Sequence, residues 1–190
     1  MIFSDKDLKI AIREGKISFF PKLDSDQIGP ASIDLRLDNI FKFFRIDKFS
    51  FLDIREPLPK NFMDEIKLKD NERFIIHPGS FILASTKEYV SVGDDVVANV
   101  EGKSSLARMG ILVHTAGYID PGFEGNITLE ISNQSNVPVA LYPNMYICQI
   151  AVSSLTSKAE VPYGKRGKSL YYKQKGPTQT DTRNLFKRKR

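Results

Sequence analysis

Between residues 74 and 152 the chain is broken into short apolar runs that lie too close together for helices to fit between them. The runs cover 74–77, 81–85, 96–100, 111–113, 127–132, 139–141 and 146–152. Gly79, Gly110, Pro121-Gly122, Gly125 and Pro143-Asn144 fall between or beside them. Glycine tolerates positive φ and proline fixes φ near the value a turn needs, so these positions read as turns joining strands. Strands this frequent bury their apolar faces against one another. A mostly β chain is predicted, an antiparallel sandwich, jelly roll or barrel.

The first 73 residues are less regular. Ser4 followed by Asp7 reads as a capping box that opens a short helix, and Gly15 ends it. Ile33, Leu35 and Leu37 alternate with Asp34 and Arg36, the period of a half-buried strand. Residues 46–72 mix charge with Pro57 and Pro59 and read as a long connection or insertion. Residues 105–108, SLAR, suit a short helix or a turn. No internal repeat is visible.

Charge divides the chain in two. Residues 158–190 hold 11 Lys and Arg against Glu160 and Asp181, a net of +9, while the rest carries −4. The predicted organisation is a β body over 1–157 and a basic arm over 158–190 that orders when it docks. Such an asymmetry suits a phosphate-bearing partner or a solvated tail. A hydrophobic fraction of 41% argues against general disorder. No apolar run approaches the roughly 18 residues of a membrane span, so no membrane partner is expected. Acids stand where a signal peptide would have its apolar stretch, and the lone Cys148 excludes an internal disulfide; both fit the cytoplasm. His77 and His114 are the only histidines, with no Cys-x-x-Cys and no His-x-Glu, so no zinc site is expected.

Four segments carry candidate chemistry. Lys103, Ser104, Ser105 and Arg108 put two hydroxyls and two cations beside a Gly102 turn, which either holds phosphate oxygens or is a polar loop. The Walker A spacing is absent. Tyr118, Ile119 and Asp120 precede Pro121-Gly122, either flanking a sugar or base or forming an ordinary turn. Alternation places Thr128 and Glu130 opposite Ile127, Leu129 and Ile131; Glu130 is then a desolvated general base or a surface charge. In the arm, Tyr163, Tyr171 and Tyr172 interleave with Lys165, Arg166, Lys168, Lys173, Gln174 and Lys175, which suits stacking on bases and neutralising phosphates, or solvation. His114 reads as a structural histidine and Cys148 as core.

Together these segments resemble a known family. EGKSSLARMG, HTAGYIDPGFEGNITLEISN, YICQI and YYKQKGPT occur in the order seen in dCTP deaminases, and QIGPASIDLRL resembles that family's N-terminal motif. The resemblance implies the fold of trimeric dUTPases: a distorted jelly roll or β-barrel with a short N-terminal helix and an extended C-terminal arm. It implies that Lys103, Ser104, Ser105, Leu106, Ala107 and Arg108 bind the triphosphate and position the catalytic water. It implies that Asp120 holds the deoxyribose 3′-hydroxyl, that Thr128 and Leu129 read the pyrimidine, and that Glu130 is the catalytic base. Gln149, Tyr163 and Gln174 match nucleotide contacts. Many relatives have Arg at the place of Lys103, and a Lys at the place of Leu170; Lys168 is the expected substitute.

Gly117-Tyr118 stands where deaminases that stop at dUTP carry His-Arg, which resembles the bifunctional members that go on to dUMP and also dUTPase itself, which has Gly-x-Ile-Asp. The expectation is metal-free deamination of dCTP followed by Mg²⁺-dependent cleavage to dUMP and pyrophosphate. Mg²⁺ is held by the triphosphate and water, and no protein side chain ligates it. The resemblance also implies a homotrimer, alone or paired into a hexamer, with dTTP as a feedback inhibitor. The alternatives are a deaminase that releases dUTP, a dUTPase without deaminase activity, and a nucleic-acid-binding β-barrel. The last leaves residues 101–133 without a reason, so no nucleic-acid partner is expected.

Overall fold

The structure, a computed structural model, describes residues 1–45, 47, 50–59, 61–114, 117–182 and 185. The C-terminal Lys187, Arg188, Lys189 and Arg190, read from the sequence as a soluble end, lie outside the described residues.

Helix α1 (Asp5–Arg13) is opened by the predicted capping box: Asp7 N donates to Ser4 Oγ and Ser4 N donates to Asp7 Oδ2, each at 3.4 Å. Gly15 follows its C-cap with φ +74°, a conformation that other residues adopt only under strain. Leu8 and Ala11 form its buried face. The strands are β1 (Ile17–Phe20), β2 (Ile33–Arg36), β3 (Ile40–Phe44), β4 (Met63–Lys67), β5 (Phe74–Ile76), β6 (Phe81–Val92), β7 (Val96–Gly102), β8 (Ile111–His114), β9 (Glu124–Asn133), β10 (Val139–Leu141) and β11 (Tyr146–Ser154). The short helix α2 (Ser104–Ala107) separates β7 from β8.

All strand pairings are antiparallel. One sheet runs β4-β3-β6-β9-β8, with β1 also on β6; a second runs β2-β11-β7; β10 pairs with β5. Their inner faces share one core, in which Leu35, Phe41, Ile82, Leu129, Ile131, Ile147 and Ile150 are fully or almost fully buried. Phe41 stacks on Phe74 with ring centroids 4.8 Å apart. No helix among the described residues is long and apolar enough to cross a membrane.

The strands expected after residue 74 are all present, and β6 and β9 extend beyond their expected limits. Residues 46–72 are not only a connection: they contain β4, which pairs with β3 from Ile40↔Lys67 to Phe44↔Met63. Charge hid this strand, because Met63 is its one buried residue and Asp64, Glu65 and Lys67 face outward. β1 and β3 were likewise not anticipated.

A bulge in β6 joins the two large sheets. Between the pairs Ser85↔Thr128 and Tyr89↔Asn126, three residues of β6 (Thr86, Lys87, Glu88) stand opposite Ile127 alone. Thr86 Oγ1 repairs the broken ladder by accepting from Ile127 N at 3.0 Å and donating to the Glu88 carbonyl at 2.8 Å. Glu88 has no solvent exposure. Its carboxylate accepts from Arg36 Nε at 2.7 Å, Arg36 N at 2.9 Å and Gln27 Nε2 at 3.2 Å. The hydrogen bond it donates to Glu88 holds the Arg36 guanidinium above its ordinary value. A buried carboxylate is tolerated only when its lone pairs are satisfied in this way. Glu88→Ala, which leaves the exposed Asp24 as the remaining acidic partner of Arg36, is predicted to lower stability by about 3 kcal/mol in urea unfolding. Removing Asp5 from its exposed pair with Lys9 is predicted to leave the urea midpoint unchanged.

Candidate active site

The candidate site starts from β9. Ile127, Leu129 and Ile131 point into the core, so Thr128 and Glu130 point to the opposite face. That face is not open solvent. It lines a cavity of about 600 Å³ walled by Phe44, Phe62, Met63, Phe81 and Leu83. Phe44 lies 6.1 Å from Phe62 and 5.9 Å from Phe81, ring centre to ring centre. Gly117, Tyr118, Ile119, Asp120 and Phe123 form another wall.

The register sets the environment of Glu130. Leu83 of β6 stands opposite it on one side and His114 of β8 on the other. Burial among these apolar groups raises the Glu130 carboxyl above its ordinary value, and the nearby His114 partly opposes the rise. A carboxyl held above its ordinary value is a stronger proton acceptor than an exposed one, which suits a general base. His114, read from the sequence as structural, is exposed and pairs across the strands with the candidate base.

The arm closes the cavity by docking on its own chain. Lys173 N donates to the Glu124 carbonyl at 2.7 Å, Asn126 N to the Gln174 carbonyl at 3.0 Å, and Thr178 N to Thr128 Oγ1 at 3.1 Å. Gly125 permits this approach, since a Cβ there would meet Gln174 Cγ at 3.0 Å. Tyr163 packs on Phe123 at 5.8 Å, and burial raises its phenol. Gln174 Nε2 donates to the Asn126 carbonyl at 2.7 Å, while its Oε1 is buried without a partner among the described residues.

Of the residues singled out from the sequence, Asp120, Thr128, Glu130, Tyr163 and Gln174 line this cavity. Leu129 lies beneath it with its side chain in the core, leaving only its backbone to meet a ligand. Lys103, Ser104, Ser105, Ala107, Arg108 and Gln149 are not at the cavity, and Lys168 is exposed away from its lining. The Leu106 side chain is core. Lys103 Nζ instead meets Asp34 Oδ2 at 2.7 Å, and Gln149 Oε1 accepts from Ser32 Oγ at 3.0 Å. These two pairs share the β2-β11-β7 sheet, where Gln149 stands between Asp34 and Glu101. Leu170 helps line a smaller adjacent cavity with Pro57 and Leu58. Cys148 is fully buried, and its thiol is pushed up by burial.

Residues 2–155 match the dCTP deaminase-like family model. The chain belongs to this family. A protein of Dictyoglomus thermophilum named "dCTP deaminase, dUMP-forming" is 49% identical over 180 residues, covering 94% of this chain and 93% of its own. One of the same name from Methanobrevibacter smithii is 48% identical over 179 residues, covering 93% and 92%. The crystal structure of 2′-deoxycytidine 5′-triphosphate deaminase from Agrobacterium tumefaciens superposes with a TM-score of 0.62 at 24% identity. The match covers 81% of this chain and 48% of that one. The last likeness bears on fold, and it agrees with the mostly β, dUTPase-like jelly roll expected from the sequence.

The apolar walls Phe44, Phe62, Met63, Phe81 and Leu83 were not foreseen as site residues. Alternation in 81–85 marks Phe81 and Leu83 as sharing a face with Ser85, which register then brings beside Glu130. Because its pKa is raised, Glu130 holds its proton more tightly in the folded chain than in the unfolded one. It therefore supports the fold below about pH 4.3, the unfolded value, and withdraws that support as pH rises through the raised value. Glu130→Gln is predicted to unfold at a higher temperature than the native protein at pH 8 and at the same temperature near pH 3.5, read by calorimetry.

Proposed function

We propose that the protein is a dUMP-forming dCTP deaminase. It hydrolyses the 4-amino group of dCTP and then cleaves the triphosphate, giving ammonia, dUMP and pyrophosphate. The observation that carries this reading is Glu130, a half-buried carboxylate with a raised pKa on the wall of an apolar cavity. Support comes from relatives of that name that are nearly half identical over more than nine tenths of the chain.

In the first step Glu130 takes a proton from water, and the resulting hydroxide adds to C4 of cytosine. The carboxyl returns the proton to the leaving amine, the C4–N4 bond breaks, and ammonia departs. Thr128 and the Leu129 backbone read the base. Ser104 and Arg108 orient the water and stabilise the charge that develops. In the second step Asp120, which also holds the 3′-hydroxyl, orients a water against the α-phosphorus, and pyrophosphate leaves. Lys103, Ser105, the Leu106 and Ala107 backbone, Gln149, Tyr163, Lys168 and Gln174 hold the nucleotide.

Among the described residues no three His, Cys, Asp or Glu gather to hold a metal. On this reading Mg²⁺ would arrive on the triphosphate and keep much of its water. Lys103 and Arg108 would hold the triphosphate that carries it, and the ion's chemistry is charge neutralisation on the phosphates. The phosphate loop lies away from the cavity in its own chain. The reading therefore places loop and cavity together between neighbouring copies of a homotrimer, alone or paired into a hexamer. dTTP then competes for the same cavity as a feedback inhibitor.

Incubation with dCTP and Mg²⁺ is expected to yield ammonia, dUMP and pyrophosphate in equal amounts. Accumulation of dUTP alone, or cleavage of dUTP with dCTP untouched, would contradict the proposal. Glu130→Gln is expected to lose at least about 10²-fold in kcat while still binding dCTP; near-native deamination would remove Glu130 as the base.

A further inference from the structure

The arm's cations are not equivalent. Lys173 is committed to Glu124 at 3.6 Å and lies over the Tyr172 ring at 5.3 Å. Arg166 instead reaches the wall of the cavity, with Nη1 3.9 Å from Asp120 Oδ2. Its position is built. It closes the single turn Tyr163–Lys165, which is pinned to the Asp120 turn by Tyr163 N on the Pro121 carbonyl at 2.7 Å and Gly164 N on the Gly122 carbonyl at 3.2 Å. Gly164 lets the Tyr172 ring pack on that turn, since a Cβ there would come within 2.6 Å of the ring and displace it.

The contact itself is loose. At 3.9 Å it is too long for a hydrogen bond, both groups are more than a third exposed, and the guanidinium makes no hydrogen bond among the described residues. An exposed pair of this kind is weak, whereas a guanidinium fork on phosphate oxygens is short and bidentate. A phosphate arriving at the cavity mouth therefore outcompetes Asp120 for Arg166.

We infer that Arg166 is a nucleotide-phosphate ligand: its guanidinium passes from Asp120 to the triphosphate when dCTP enters, and this leaves the Asp120 carboxylate to the sugar. The inference rests on the dCTP reading above and adds a residue that reading does not contain.

The test compares native protein, Arg166→Ala, Arg166→Lys and Lys9→Ala by ammonia release across a range of dCTP concentrations, with thermal unfolding of each. Arg166→Ala is expected to unfold at the native temperature and to raise KM about tenfold or more, with kcat within about threefold of native, the signature of lost uniform binding. Arg166→Lys recovers part of the loss, and Lys9→Ala, an exposed cation on α1, keeps native constants. A KM within about twofold of native in Arg166→Ala overturns the inference. So does a fall in kcat at unchanged KM, which would make Arg166 a support for Asp120. Native protein that releases no ammonia from dCTP overturns the underlying reading, and this inference falls with it.

Discussion

A single buried carboxylate sets the geometry on which the rest of the site depends. Glu88 enters the core because β6 carries two extra residues in the stretch Thr86, Lys87 and Glu88, and the hydrogen bonds it accepts from Arg36 and Gln27 make that intrusion tolerable. The bulge also fixes the register on either side of itself. Before it, Leu83 faces Glu130 and Ser85 faces Thr128; after it, Tyr89 faces Asn126. Asn126 carries the consequence outward. Its Nδ2 donates to the Thr86 carbonyl at 3.0 Å, and its Oδ1 accepts from Gly176 N at 3.3 Å. One irregularity thus ties the two sheets together, sets the surroundings of the candidate base and anchors the arm that covers it.

Local periodicity made part of this legible. Strict alternation in β9 separated Thr128 and Glu130 from the core residues, and the capping box and Gly15 bounded α1. Whether the Glu130 face met solvent or a cavity was not legible, because that depends on which strands pair beside it. β4 escaped notice because it buries only Met63 and wears charge elsewhere. The bulge is a tertiary feature: Glu88 looks like any surface acid until Arg36 and Gln27, 52 and 61 residues away in the chain, are brought to it. That the arm docks was legible, but where it docks was not, because the contact rests largely on backbone hydrogen bonds that side-chain patterns do not announce.

The resemblance to dCTP deaminases supplied residues that a single folded chain divides into two groups. Asp120, Thr128, Glu130, Tyr163 and Gln174 surround the cavity, while Lys103 and Gln149 sit on the β2-β11-β7 sheet beside Asp34 and Ser32. Closed rings of identical chains unite two such surfaces at every interface without any change in the fold.

The measurement that tests this division most directly is subunit complementation. Glu130→Gln and Arg108→Ala chains, each inactive on dCTP alone, are unfolded, mixed in equal amounts and refolded together. If the base and the phosphate loop of one site come from different copies, the mixture regains about a quarter of native ammonia release, the share of interfaces in a random trimer that join the two intact halves. A mixture as inactive as its two components, despite forming trimers, would place both groups in one chain and contradict the shared site.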